Sequence, residues 1–154
     1  MPKISVLTAT CHNDYLPYQV RALQAQSFRE FEWVIVDDNY DKDNYLGNLI
    51  GNSFPFTHIP PREFKPYVSI ALALNSGLVY CSGKVVFFMC DYIIPDYECL
   101  ARHWEIHEKY PRAIISGRSI SVDFHPSILE SGIQDKFMGS DYRMGLFDHI
   151  FDKS

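Results

Sequence analysis

The sequence predicts an α/β fold, a three-layer sandwich around a mostly parallel sheet. Three observations predict it. The chain opens strand, loop, helix, strand, with the apolar stretches Lys3–Thr8 and Glu32–Val36 on either side of an amphipathic one. Further on, Val85–Met89 is a continuous β-branched and aromatic run, the pattern of a strand buried on both faces of a parallel sheet. Two of these strands run straight into acids, Asp37-Asp38 and Asp91. In open α/β sheets the carboxyl edge of the strands is where ligands bind.

The bulk numbers agree with one ordinary globular domain. The chain has 154 residues, 47% hydrophobic and 21% charged, enough for a substantial core. Its net charge is −5 and it has no run of Lys or Arg, which argues against a nucleic-acid partner gripped through phosphates. No apolar stretch reaches membrane-spanning length, and residues 1–15 lack a signal-peptide pattern. The four cysteines, Cys11, Cys81, Cys90 and Cys99, form no C-x-x-C pair; reduced thiols in a cytoplasmic protein are the simplest account.

Each element then follows in order. Lys3–Thr8 is the first strand, and Thr8–Asp14 a polar loop. Asn13 or Asp14 caps a helix with Pro17 in its first turn, where a missing N–H does no harm. Leu16, Val20 and Leu23 form its buried face. Glu32–Val36 is the second strand. A right-handed crossover sets it parallel to the first, so the loops after both strands share one sheet edge. Asp37 and Asp38 are thereby candidates to share a pocket with Thr8, Thr10 and Asp91.

Tyr45–Ile50 reads as a short helix and Phe56–Ile59 as a third strand. Pro60, Pro61 and Pro66 bracket Arg62 and Lys65 in a stiff basic loop, solvated surface or a diphosphate contact. Tyr67–Ser76 is a helix with Val68, Ala71, Leu72 and Asn75 on one face, and Ile70, Ala73 and Leu74 make it apolar nearly all round. Gly77 stands where a C-cap often does, or Leu78–Tyr80 continue the helix to Gly83. After Val85–Met89, Asp96 caps a helix that runs to Tyr110, with Leu100, Trp104 and His107 inward. Ala113–Ser116 and Ser119–Val122 look like further strands. From Phe124 onward Gly132, Gly139 and Gly145 interrupt any pattern, and only Tyr142–Phe151 suggests a helix.

Several motifs fail on inspection. Ser82-Gly83-Lys84 resembles a phosphate-binding loop, but its spacing from Gly77 is wrong and Val85 replaces the hydroxyl that would hold magnesium. No G-x-G-x-x-G follows the first strand. His103 and His107 stand at i, i+4, yet Trp104 sits where a zinc protease needs Glu, and a structural pair is the commoner meaning.

Four blocks in order carry a resemblance: I-S-V-L-T-A-T-C-H-N-D-Y-L (Ile4–Leu16), Q-A-Q-S-F-R-E-F-E-W-V-I-V-D-D-N (Gln24–Asn39), A-L-N-S-G-L-V-Y-C-S-G-K (Ala73–Lys84) and F-F-M-C-D-Y-I-I-P (Phe87–Pro95). Together they resemble the nucleotide-sugar-binding part of an inverting family 2 glycosyltransferase, whose GT-A fold is Rossmann-like. The resemblance implies a donor site for a nucleotide-diphospho-sugar, a UDP-sugar by expectation, and a glycan or lipid-linked cell-envelope acceptor. By position, Thr8 and Thr10 would line the base pocket. Asp38 would accept a hydrogen bond from uracil, with Asp37 in support, and Arg62 would neighbour base or diphosphate. Asp91 would touch ribose and bind Mn²⁺ or Mg²⁺.

The chain departs from the family pattern at Cys90-Asp91-Tyr92, which offers one carboxylate where two or three are usual. A magnesium-like ion can use one carboxylate with phosphates and water, whereas a thiol is a poor ligand for a hard ion. Family members continue further after this signature and there supply a general base. The implied organisation is therefore one domain over 1–154 without the usual C-terminal acceptor part, 124–154 being weakly patterned. Glu130, Asp123, Asp141 and Asp148 are among the acids after Asp91 that could serve as the base, and none aligns with it. The expected location is cytoplasmic or peripheral at the inner membrane face, and the aromatic content allows self-association. A non-catalytic nucleotide-sugar-binding module, or a degenerate transferase, is the alternative. A nucleotidyltransferase is the third, without the Gly-rich signature it would need.

Overall fold

A computed structural model describes residues 1–11, 14–40, 45–60 and 69–117. By internal packing the chain divides into two compact units, Met1–Pro111 and Arg112–Ser154, and the fold below is that of the first. It contains β1 (Ile4–Thr10), α1 (Leu16–Ala25), β2 (Phe31–Asp37), α2 (Tyr45–Ile50), β3 (Phe56–Ile59), α3 (Ile70–Leu78), β4 (Val85–Phe88) and α4 (Cys99–Lys109).

The four strands form one sheet in the order β3-β2-β1-β4, every pair parallel. Alternation along the strands supplies its two faces. Ile4, Val6, Phe31, Trp33, Ile35 and partly buried Phe87 pack with Leu16, Val20 and Leu23 of α1, Leu46 and Ile50 of α2, and Leu100 of α4. Leu7, Val34, Val36 and partly buried Val86 pack on the other face against Ala73 and Leu74 of α3. Helices thus cover both faces, the three-layer α/β arrangement the sequence predicts.

The structure decides which side of α3 faces in, which a helix apolar nearly all round leaves open. The sequence pattern traces Val68, Ala71, Leu72 and Asn75 along one face. Of these Val68 lies outside the described residues, and Ala71, Leu72 and Asn75 are exposed. The buried residues are Ala73, Ser76 and Gly77. Close approach selected the small residues: a Cβ on Gly77 would lie 2.4 Å from Leu7 Cδ1 and 2.9 Å from Val36 Cγ2. Gly77 lies within α3, which continues past it to Leu78, and is not its C-cap; Leu74 is partly buried, while Ile70, Leu72 and Leu78 are left exposed.

Other boundaries shift by a few residues. β1 continues through Thr10, because Thr8, Ala9 and Thr10 pair with Ile35, Val36 and Asp37. The residue before α1 is Tyr15, with no side-chain cap, so Asp14 does not fill that role. Asp96 does organise the start of α4: its Oδ1 accepts from Glu98 N at 3.0 Å and its carbonyl from Cys99 N at 3.0 Å. The helix proper begins at Cys99. Ala113–Ser116 is not a strand; Ser119–Val122 and all later expectations lie outside the described residues. Among the described residues, no helix is long and apolar enough to cross a membrane.

Candidate functional site

Strand order decides where a ligand can enter. β1 leads through α1 to β2 on one side, while β4, reached later in the chain, pairs with the other side of β1. The connections therefore diverge between β1 and β4, and crevices in open α/β sheets form at the carboxyl ends of strands that diverge in this way. Thr10 ends β1, and Asp91 lies three residues after β4. Thr10 Oγ1 donates to Asp91 Oδ2 at 3.0 Å across this crevice. The half-buried Asp91 is thus aimed by a side chain of the neighbouring strand.

Asp37 closes the adjacent corner. It is 2% exposed, opposite Thr10 in the β1–β2 register. Its Oδ1 accepts from Asn39 N at 2.8 Å, a turn in which the side chain imitates backbone, and Tyr40 N donates to its carbonyl at 3.1 Å. Its Oδ2 lies 3.1 Å from His58 Nε2 on β3, and the Tyr40 ring packs on His58 with centroids 4.8 Å apart. Asn39 Nδ2 also donates to Cys11 O, tying the loops after β1 and β2 together. These bonds commit one oxygen of Asp37 to the turn and the other to His58 on β3.

Asp38 is placed by backbone. Its N–H donates to Thr10 O at 2.9 Å, which extends the β1–β2 ladder one step past Asp37. The half-buried Asp38 carboxylate makes no hydrogen bond among the described residues. Of the expected group, then, the fold brings Thr10, Asp37, Asp38 and Asp91 to one edge.

Thr8 is the correction. It is 0% exposed, and its Oγ1 accepts from Trp33 Nε1 at 2.9 Å. A buried indole needs an acceptor, and Thr8 on the same sheet face supplies it; it therefore belongs to the core and lines no pocket. Arg62 lies outside the described residues, as do Glu130, Asp123, Asp141 and Asp148.

Three contributors escaped the sequence reading. His58 and Asn39 hold the Asp37 turn, and Gln19 of α1 donates to Cys90 O and Ile93 O at either end of the turn that carries Asp91. A signal existed for His58: alternation from Phe56 turns it to the same sheet face as Trp33 and Ile35, toward Asp37. Nothing local marked Gln19, whose partners are more than seventy residues away.

For a metal, the donors are sparse. Among the described residues no three His, Cys, Asp or Glu side chains gather at one point. Asp91 alone fits an ion whose remaining positions are filled by phosphate oxygens and water, the habit of magnesium-like ions.

The same fold occurs in solved structures of S. aureus TarS. One is at 20% identity and a TM-score of 0.61, covering 77% of this chain and 23% of TarS. A 1–349 form matches at 20% identity and a TM-score of 0.62 over 78% of this chain, and the same form in complex with UDP at 20% and 0.60. This chain spans 38% of either 1–349 structure. At this identity the likeness shows the fold, a GT-A-like α/β fold. No protein-family model and no curated protein sequence matches the chain.

Proposed function

We propose that this protein is a glycosyltransferase that takes a sugar from a nucleotide-diphospho-sugar, a UDP-sugar, and passes it with inversion to a hydroxyl of a glycan or other cell-envelope acceptor. One observation carries the reading: Asp91 is aimed by Thr10 at the point where the strand connections diverge, beside the Asp37-Asp38 turn. The occurrence of this fold in a TarS crystal with UDP supports a uridine nucleotide as ligand.

In this reading Asp38 accepts the imide N–H of uracil, and Asp37 fixes the turn that presents it. Thr10 orients Asp91, which would hold the divalent ion, Mn²⁺ or Mg²⁺. When bound, that ion neutralises the diphosphate leaving group. Arg62 is assigned to base or diphosphate by resemblance alone. The general base that takes the acceptor proton is unassigned.

The second reading, a nucleotide-sugar-binding module without transfer activity, is favoured by one feature: Asp91 is flanked by Cys90 and Tyr92, not by further carboxylates. The test is release of UDP from UDP-sugars, alone and with simple acceptors, in the presence of Mn²⁺. Turnover supports the enzyme; tight UDP-sugar binding with no release over many hours selects the module.

A further inference from the structure

The turn that carries Asp91 is clasped by a side chain from α1. Ile93 N donates to Cys90 O at 3.1 Å, closing a β-turn with Asp91 and Tyr92 at its corners. Gln19 Nε2 donates to Cys90 O and to Ile93 O, each at 2.8 Å, so one amide nitrogen holds both ends of that turn. Two carbonyl partners fix which way the amide points, since only its nitrogen can donate. Gln19 is 0% exposed and its Oε1 has no partner among the described residues. A buried acceptor left unpaired is costly, and an apolar side chain would fill this helix position without that penalty. The two bonds to the turn are what Gln19 provides in exchange.

We propose that Gln19 is a positioning residue for Asp91, fixing the 90–93 turn so that its carboxylate meets a divalent ion bound to a nucleoside diphosphate. This rests on the reading of the carboxyl edge as a nucleoside-diphosphate site. Groups that hold a metal-ligating side chain in place typically change metal affinity 10- to 100-fold when removed. Among the described residues, Asp37 and Asp38, assigned to the base in that reading, make no hydrogen bond to Gln19.

The test compares wild type with Gln19→Met, which keeps length and volume but has no donor. Without ligand, amide exchange at Ile93 should quicken about tenfold, while amides within β1 and β2 keep their rates. With Mn²⁺, UDP affinity should fall about tenfold, while uridine affinity without metal is unchanged. Gln19→Glu provides the graded case. Burial favours its protonated form, whose single O–H restores one bond, so its exchange rate should lie between the other two. Unchanged exchange in both variants overturns the clasp. Equal losses of UDP and uridine affinity overturn the positioning role and leave only a structural one. A wild type that binds no UDP overturns the site reading itself, and with it any effect of Gln19 on affinity; the exchange comparison still decides the clasp separately.

Discussion

The two ends of the sheet use polar side chains in opposite ways. At the amino end, Glu32 Oε1 accepts from Ser5 Oγ at 2.6 Å, Ser82 N at 2.6 Å and Ser82 Oγ at 2.9 Å. Ser5 Oγ in turn accepts from Gly83 N at 2.8 Å. These bonds are made within the chain itself, stitching β1, β2 and the approach to β4. At the carboxyl end, Thr10 and Asp37 hold their neighbours in place, while Asp38 and Asp91 stay half-buried at the rim. One end stabilises the sheet and the other presents carboxylates. Changes at the first should alter stability, and changes at the second should alter binding.

The largest effect is expected from Gly83→Ala. A Cβ there would lie 2.5 Å from Ser5 N and 2.7 Å from Ile4 C, which is backbone and cannot swing aside. Overpacking of this kind costs about 2–3 kcal/mol, and denaturant unfolding should show it while nucleotide affinity per folded molecule stays constant. Next is Asp91→Ala, for which Mn²⁺-dependent UDP affinity should drop at least about tenfold, ~1.4 kcal/mol. Its unfolding midpoint should barely move. Equal behaviour of these two variants would break the division between the two ends.

Glu32→Gln sharpens the comparison through pH. Burial pushes the Glu32 carboxyl up, but the hydrogen bonds from Ser5, Ser82 and Gly83 outweigh it and hold the carboxyl below its ordinary value of 4.5. A depressed carboxyl contributes stability that is complete above the ordinary value and is lost as pH falls through the depressed one. Wild type should therefore lose this contribution below about pH 4.5, whereas Glu32→Gln should lack it at every pH. The difference at pH 7 should be about 1 kcal/mol, the exposed side of the carboxylate being screened by water. Chemical denaturation between pH 3 and 7 measures it. A comparable effect belongs to Thr8→Val, which leaves the Trp33 N–H unpaired and should cost about 1 kcal/mol without changing UDP affinity. A loss of affinity there would return Thr8 to the base pocket.

Much of this architecture was legible because it rests on local periodicity. The strands, the α1 face of Leu16, Val20 and Leu23, and the acids after β2 and β4 all follow from short-range pattern and turn chemistry. What escaped depends on contacts across the chain. α3 is apolar nearly all round, so periodicity alone could not say that Gly77, pressed on Leu7 and Val36, faces in. Thr8 looked like a loop residue until β1 proved to run two residues further and Trp33 required an acceptor. Gln19, Asn39 and His58 do their work on partners distant in sequence, where no spacing rule applies.

The most direct measurement is calorimetric titration of UDP into the protein with and without Mn²⁺, against ADP and GDP. Binding that is selective for UDP and strengthened by Mn²⁺ is the result expected of a carboxyl edge built to receive a uridine diphosphate. Absence of binding to all three nucleotides would contradict it.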